Sequence, residues 1–280
     1  MNQRFGQEMK YRSYGPDPKR IALIHGGPGA PGEMGPVARY LADYFPIIEP
    51  FQTGLTIHDQ IEELAKTLRT SAEIPVILVG YSWGAWLSGM VAGRYPELVY
   101  HLILISAGPL EEQYAVVWKN RMERLTPDEQ ETMHELMVQI QDSACPDRDR
   151  LLKTFGSLIQ KVDSFCPIQE NKDEIGAFSC DPEIFSQVWA EAAKMRQTGE
   201  LLSCFQQISC PVTAIHGDYD PHPVQGVIEP LTRILPRFTS IVIPDCGHCP
   251  WEETVARNIF FSVLHGEISG IFPSLVSIAR

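Results

Sequence analysis

Long apolar runs are missing from this 280-residue chain. The longest, such as "IALI" at 21–24 and "HLILI" at 101–105, are far shorter than a membrane span. The polar start "MNQRFGQEMKYRSYG" lacks the apolar stretch of a signal peptide, so a cytoplasmic address without a membrane partner is the default expectation. Basic charge is scarce too. With 23 Lys plus Arg against 35 Asp plus Glu, the formal net charge of −12 disfavours a general role on nucleic acid or anionic lipid, both of which require basic patches. Small molecules or short peptides are the expected substrates. Low-complexity segments and fixed-period repeats are absent, and the seven cysteines (145, 166, 180, 204, 210, 246 and 249) form an odd, scattered set. In a chain with ample core that pattern means reduced thiols rather than a disulfide scaffold.

What is present is the material of an ordinary globular protein, 44% hydrophobic. Short apolar, β-branched runs at 21–24, 77–80, 102–106, 212–215 and 241–243 read as strands buried on both faces. Helical patterns alternate with them, clearest at 56–69, where Ile57, Ile61, Leu64 and Leu68 recur at spacings of three and four. Alternation of this kind predicts an α/β fold with a mostly parallel sheet flanked by helices. From about 110 to 204 the signals become purely helical. "LTPDEQETMHELMVQIQ" carries a capping box in Thr126 and Glu129, and "DPEIFSQVWAEAAKMR" starts on Asp181 and Pro182. The expected organisation is therefore a core in two parts, 1–109 and 205–280, interrupted by an all-helical lid at 110–204. That insertion holds 18 Asp plus Glu against 10 Lys plus Arg, so it carries 8 of the 12 net negative charges.

The junction "VILVGYSWGAWLSGMVAGRYPE" at 76–97 places Ser82 between Gly80 and Gly84, where a strand gives way to a helix. The pattern G-x-S-x-G in a strand–turn–helix setting is that of a nucleophile elbow. Side chains two residues before and after the serine would collide as the helix folds back on the strand, so both positions carry hydrogen only. The competing reading is a plain loop with Ser82 as N-cap.

A serine nucleophile needs a base, an acid and donors for an oxyanion. "HGDYDPHP" after the strand at 212–215 offers Asp218 or Asp220 as the acid, and "PDCGHCPWEE" after the strand at 241–243 offers His248 as the base. "HGGPG" at 25–29 offers the backbone N–H of Gly27, which with the N–H of Trp83 would make an oxyanion hole. All these loops lie at the carboxyl ends of strands, where functional groups of an open α/β sheet gather. His216 and His222 read as structural, and Trp118 and Trp189 as packing inside the insertion. Cys246-Gly247-His248-Cys249 has dithiol spacing but lies late in the chain around a histidine the serine needs. It has no second ligand pair of metal spacing, so neither redox chemistry nor a metal is expected. No organic cofactor is implied.

The four motifs in this order resemble the α/β-hydrolase superfamily, with "HGGPG" and "GYSWG" most similar to its prolyl iminopeptidase branch. The resemblance covers roughly 20–109 and 205–265. It implies that Ser82, Asp220 and His248 form a catalytic triad, with Gly27 and Trp83 as the oxyanion hole. Asp220 is preferred over Asp218 because Gly217-x-x-Asp220 followed by Pro223 has the form of the superfamily's acid loop. The expected function is that of a serine hydrolase acting on a small ester or amide through an acyl-enzyme. The alternatives are an iminopeptidase-like aminopeptidase and a catalytically idle binder of the same fold. The acidity of the insertion predicts a preference for substrates with a cationic group. Glu191, at the border of the apolar face of Ile184, Val188 and Trp189, is the candidate to bind it.

Overall fold

The structure, a computed structural model, describes residues 11–141, 148–168 and 181–278. The first ten residues, read above for a leader, and Cys145 and Cys180 lie outside the described residues. Within them the strands, numbered in chain order, are β1 (Tyr11–Tyr14), β2 (Ile21–Ile24), β3 (Ile47–Pro50), β4 (Val76–Tyr81), β5 (Val99–Ile105), β6 (Val212–Gly217) and β7 (Phe238–Ile243). They form one sheet in the order β1-β3-β2-β4-β5-β6-β7, parallel except for β1, which runs antiparallel to β3.

Alternate residues of each strand face opposite sides of the sheet, and each side is covered by helices. Ile21, Leu23, Ile77, Val79, Ile103 and Ile105 share one core with α1 (Gly35–Ala42) and α10 (Ala256–Ile278). Ala22, Ile24, Leu78, Leu102 and Leu104 share the other with α2 (Ile57–Ser71), α3 (Trp83–Arg94) and α9 (Gln225–Ile234). Ile57, Ile61, Leu64 and Leu68 are the buried stripe of α2, as their spacing predicts, and Thr56 caps that helix by accepting from the Asp59 N–H. Each fully buried aliphatic side chain contributes about 1.5–3 kcal/mol.

Two strands escaped the sequence reading, and one differs from it. β1 is a polar edge strand, and β3 contains the buried Glu49, whose Oε2 accepts from the Tyr14 hydroxyl at 2.8 Å. The strand from 241 onward was expected to be buried on both faces. Instead, β7 starts earlier, closes the sheet's edge and buries only Ile243.

Between β5 and β6 the described residues form α4 (Val117–Glu123), α5 (Pro127–Gln141), α6 (Arg148–Asp163), α7 (Pro182–Thr198) and α8 (Glu200–Phe205). Both start signals hold: Glu129 Oε2 accepts from the Thr126 N–H at 3.0 Å, and Asp181 accepts from the N–H groups of Glu183 and Ile184. The block is not one packing unit, however. Leu125, Met133 and Val162 make a small core of their own among α4–α6. Ile184, Val188 and Ala192 of α7 and Leu201 and Phe205 of α8 instead join the main core beside α2 and α3. Trp118 and Trp189, expected as packing, are 40% and 37% exposed, and Phe185 is exposed as well. Trp189 stacks between Phe185 and the buried Trp86, with ring centroids 6.2 and 5.8 Å away.

Candidate active site

Ser82 sits between β4 and α3 with φ 52° and ψ −113°, a region side chains other than glycine rarely adopt. It occupies the N-cap position of α3 yet its side chain caps nothing; its Oγ lies 3.0 Å from His248 Nε2. The N-cap reading is therefore set aside. The elbow is held on every side. Ser82 N–H donates to the Ile105 carbonyl at 2.9 Å, Trp83 Nε1 donates to Gln60 Oε1 at 3.1 Å, and Trp86 Nε1 donates to the Gly108 carbonyl at 2.9 Å.

His248 enters from the loop after β7. Its Nδ1 is 2.8 Å from Asp220 Oδ2, in the loop after β6, so serine, histidine and aspartate form one hydrogen-bonded line. Asp218, the rival acid, accepts from the Cys246 N–H at 3.4 Å and is directed at that loop's backbone instead. Asp220 is fully buried. Burial alone would raise its pKa, but His248, His222 and His216 around it hold the carboxyl well below the usual range. For His248, burial works against the charged form, yet the Asp220 carboxylate outweighs it and the imidazole is raised above its ordinary 6.5.

The loop "HGGPG" leaves β2 with Gly27 at φ 41° and Gly29 at φ 78°. A side chain on Gly84 would overlap the carbonyls of Ile24 and His25, so the first turn of α3 lies directly against this loop. As the first residue of α3, Trp83 has an N–H that no carbonyl of its own helix can reach. The Gly29 carbonyl accepts from the Asp181 N–H at 2.8 Å, which moors the start of α7 to the same loop.

Sequence reasoning missed a second set of supports. The His248 N–H donates to the Asp163 carbonyl at the end of α6, 2.7 Å away. Arg121 of α4 grips the Asp163 carboxylate with two bonds of 2.7 and 2.6 Å. Glu253, buried, accepts from the N–H groups of Phe165, Cys166 and Gly247 at 2.8, 2.7 and 2.9 Å. A buried carboxylate receiving backbone N–H groups from two chain segments leaves no signal in sequence spacing.

Glu191, expected to bind a cationic group, meets a neighbouring helix: its Oε2 accepts from the Ile57 N–H at 2.8 Å, at the N-terminus of α2, where the helix dipole favours negative charge. The cysteines flanking His248 are free, and burial pushes both thiols above their ordinary value, the reverse of what dithiol exchange requires. Asp220, His222 and His248 bring metal-binding atom types within 4.8 Å of one another, but both Nδ1 atoms face the one carboxylate and are engaged with it.

Glu33, in the loop before α1, is a further acid near His248. Among the described residues its shielded Oε2 has no hydrogen-bond partner, and burial pushes the carboxyl from 4.5 up to about 7 despite the nearby His248 and the Gly26 backbone. In the unfolded chain this group ionises near 4.5, so the native state loses stability as pH rises from about 4.5 to about 7 and recovers none above it. Glu33→Gln is expected to remove that loss, raising stability at pH 8 by on the order of 3 kcal/mol while changing little at pH 4. Thermal unfolding of both proteins from pH 4 to 8 checks this, and parallel curves refute it.

A family model described as alpha/beta hydrolase fold matches residues 48–254. A pimeloyl-[acyl-carrier protein] methyl ester esterase from Nitrosomonas europaea is 22% identical over 256 residues, covering 85% of this chain and 90% of that protein. Among solved structures, VinJ superposes with a TM-score of 0.70 at 18% identity over 93% of this chain and 94% of its own. A proline iminopeptidase of Mycobacterium smegmatis superposes at 0.62 and 17% identity, again over 93% and 94%. No helix among the described residues is long and apolar enough to cross a membrane. With the matched segment running from β3 through the elbow and the acid loop to the histidine loop, the chain belongs to the alpha/beta hydrolase fold family.

Proposed function

We propose that this hydrolase cleaves a small-molecule ester, or an amide, through an acyl-enzyme on Ser82. The observation that carries the reading is the line from Ser82 Oγ through His248 to Asp220, with bonds of 3.0 and 2.8 Å. Ser82 Oγ attacks the substrate carbonyl while His248 Nε2 takes its proton. Asp220 keeps the other ring nitrogen protonated and stabilises the imidazolium that forms. The N–H groups of Gly27 and Trp83 receive the oxyanion of the tetrahedral intermediate. His248 returns the proton to the leaving alcohol or amine. Water, deprotonated by His248, then releases the acid. Because the neutral imidazole is the base, kcat/KM falls as pH drops through the raised pKa of His248.

Ester cleavage is favoured over the aminopeptidase alternative because Glu191 is bonded to α2, leaving that alternative without its expected amine-binding carboxylate. The methyl ester esterase named above supports the same choice. The substrate is taken to be a free small molecule. The strained backbone of Ser82 argues against an idle binder, which gains nothing from that strain.

The test is a panel of p-nitrophenyl acyl esters beside amino-acid arylamides and their N-acetylated forms, with fluorophosphonate labelling alongside. Labelling of Ser82 and turnover of esters are expected. Cleavage of the free-amine arylamides alone moves the reading to an aminopeptidase, and absence of labelling ends the serine mechanism.

A further inference from the structure

Asp220 has a second histidine partner that the triad does not account for. His222 brings both its backbone N–H and its Nδ1 to Asp220 Oδ1, at 2.9 and 2.8 Å, while His248 takes Oδ2. The His222 ring also lies over the His248 ring, with centroids 4.4 Å apart and planes 29° apart. His222 is itself held, since its carbonyl accepts from His216 Nε2 at 2.9 Å and the neighbouring Pro221 carbonyl accepts from Asn120 of α4 at 2.8 Å.

Resting on the serine-hydrolase reading, we propose that His222 is a positioning residue for catalysis: its Nδ1–H locks the rotation of the Asp220 carboxylate and draws off part of the charge that Asp220 presents to His248. Two carboxylate oxygens with fixed, separate donors cannot swing, so Nδ1 of His248 has one place to point. The protonation states agree. Asp220 is ionised and accepts only, and burial holds His222 at about 4, hence neutral near pH 7 and able to donate from one nitrogen. A donor on Oδ1 disperses the carboxylate's charge, so without it His248 binds its proton more tightly.

The other groups facing this pair are His216 from β6, Arg121 from α4 and Asp163 from α6. From the remaining sides Glu33 couples to His248, and Tyr81 couples to Asp220 and lies beside the His248 ring, tilted by 40° with centroids 5.3 Å apart. None of these changes in the variants below.

His222→Phe keeps a ring over His248 and removes the donor. His222→Asn keeps a donor at the position of Nδ1 and removes the ring. Two measurements are made on each: the titration of His248 by NMR of ¹⁵N-histidine-labelled protein, and the rate of Ser82 labelling by a fluorophosphonate against pH. In His222→Phe the His248 midpoint and the acid limb of labelling are expected to move upward by about half a unit or more, and labelling at pH 8 to slow about tenfold. In His222→Asn both midpoints should stay in place and the rate should remain within about threefold of wild type. An unmoved midpoint in His222→Phe overturns the proposal, and so do equal shifts in the two variants, which would mean that the stacked ring matters and the donor does not. Should His222→Phe fail to fold, His222→Leu, also without a donor, replaces it. If wild-type Ser82 is not labelled, the hydrolase reading fails by itself, while the NMR titration still reports on the bond between His222 and Asp220.

Discussion

Ser82→Ala is expected to lower kcat on a turned-over ester by about 10⁴-fold or more and to abolish fluorophosphonate labelling, with the fold intact. The size of the effect follows from the loss of the proposed nucleophile, whose oxygen lies 3.0 Å from His248 Nε2. His248→Ala should cost about as much, because a serine hydroxyl without a base is a weak nucleophile at neutral pH. Asp220→Asn should also fall by about 10⁴-fold, since an amide facing Nδ1 favours the wrong tautomer of the imidazole. Combining any two should add little to the loss, because the groups act as a unit. Asp218→Asn serves as the discriminating control. Its carboxylate accepts from the Cys246 N–H at a long 3.4 Å, and the change should leave kcat within about threefold. The reverse pattern, with Asp218→Asn severe and Asp220→Asn silent, would falsify the assignment of the acid.

The second large effect is on stability. A Cβ on Gly80 would stand 2.5 Å from the Gly84 carbonyl carbon and 2.6 Å from Ser88 Oγ, and one on Gly84 would overlap the Ile24 and His25 carbonyls. Apart from Ser88 Oγ, the atoms in the way are backbone of Gly84, Ile24 and His25, which cannot step aside as a flexible side chain can. Gly80→Ala and Gly84→Ala are each expected to cost about 3 kcal/mol or more, against the 5–15 kcal/mol that keeps a typical domain folded. Gly266→Ala provides the contrast, because nothing lies within 4 Å of its added carbon in α10 and alanine favours a helix. It should gain about 0.5–1 kcal/mol. Denaturant unfolding of the three proteins measures the difference, and a Gly84→Ala variant as stable as wild type overturns this account of the elbow.

Much of the fold was legible because β2, β4, β5 and β6 each contain a short, largely apolar run bounded by turn residues, as burial on both faces of a parallel sheet requires. β1 and β3 were not legible. Tyr-Arg-Ser-Tyr pairs through backbone groups on an exposed edge, and Ile-Ile-Glu-Pro hides a glutamate whose partner, Tyr14, lies 35 residues earlier. The elbow, the histidine loop and the "HGGPG" loop each carry a local signature of glycines at fixed offsets. For Glu191, helical spacing tells which face a residue takes but not which neighbour meets it, and here the N-terminus of α2 is one such neighbour. His222 was read as structural because nothing in "DPHP" reveals that the loop turns its ring back onto the aspartate two residues earlier.

The bonds from Asp163, Phe165 and Cys166 to the histidine loop bear on how this enzyme could be re-engineered. Exchanging helices between relatives is a usual route to new specificity, and chain order suggests splicing at about 110 and 204. A graft cut there would bring in a foreign α7 and α8 that must refill the seats of Val188, Leu201 and Phe205 on the core. It would also need a carbonyl for the His248 N–H and two N–H groups for Glu253, or the base would lose its mooring although its own sequence was untouched. The transplantable module is therefore α4 to α6 together with its matching histidine loop, two stretches of sequence that have to travel as a pair.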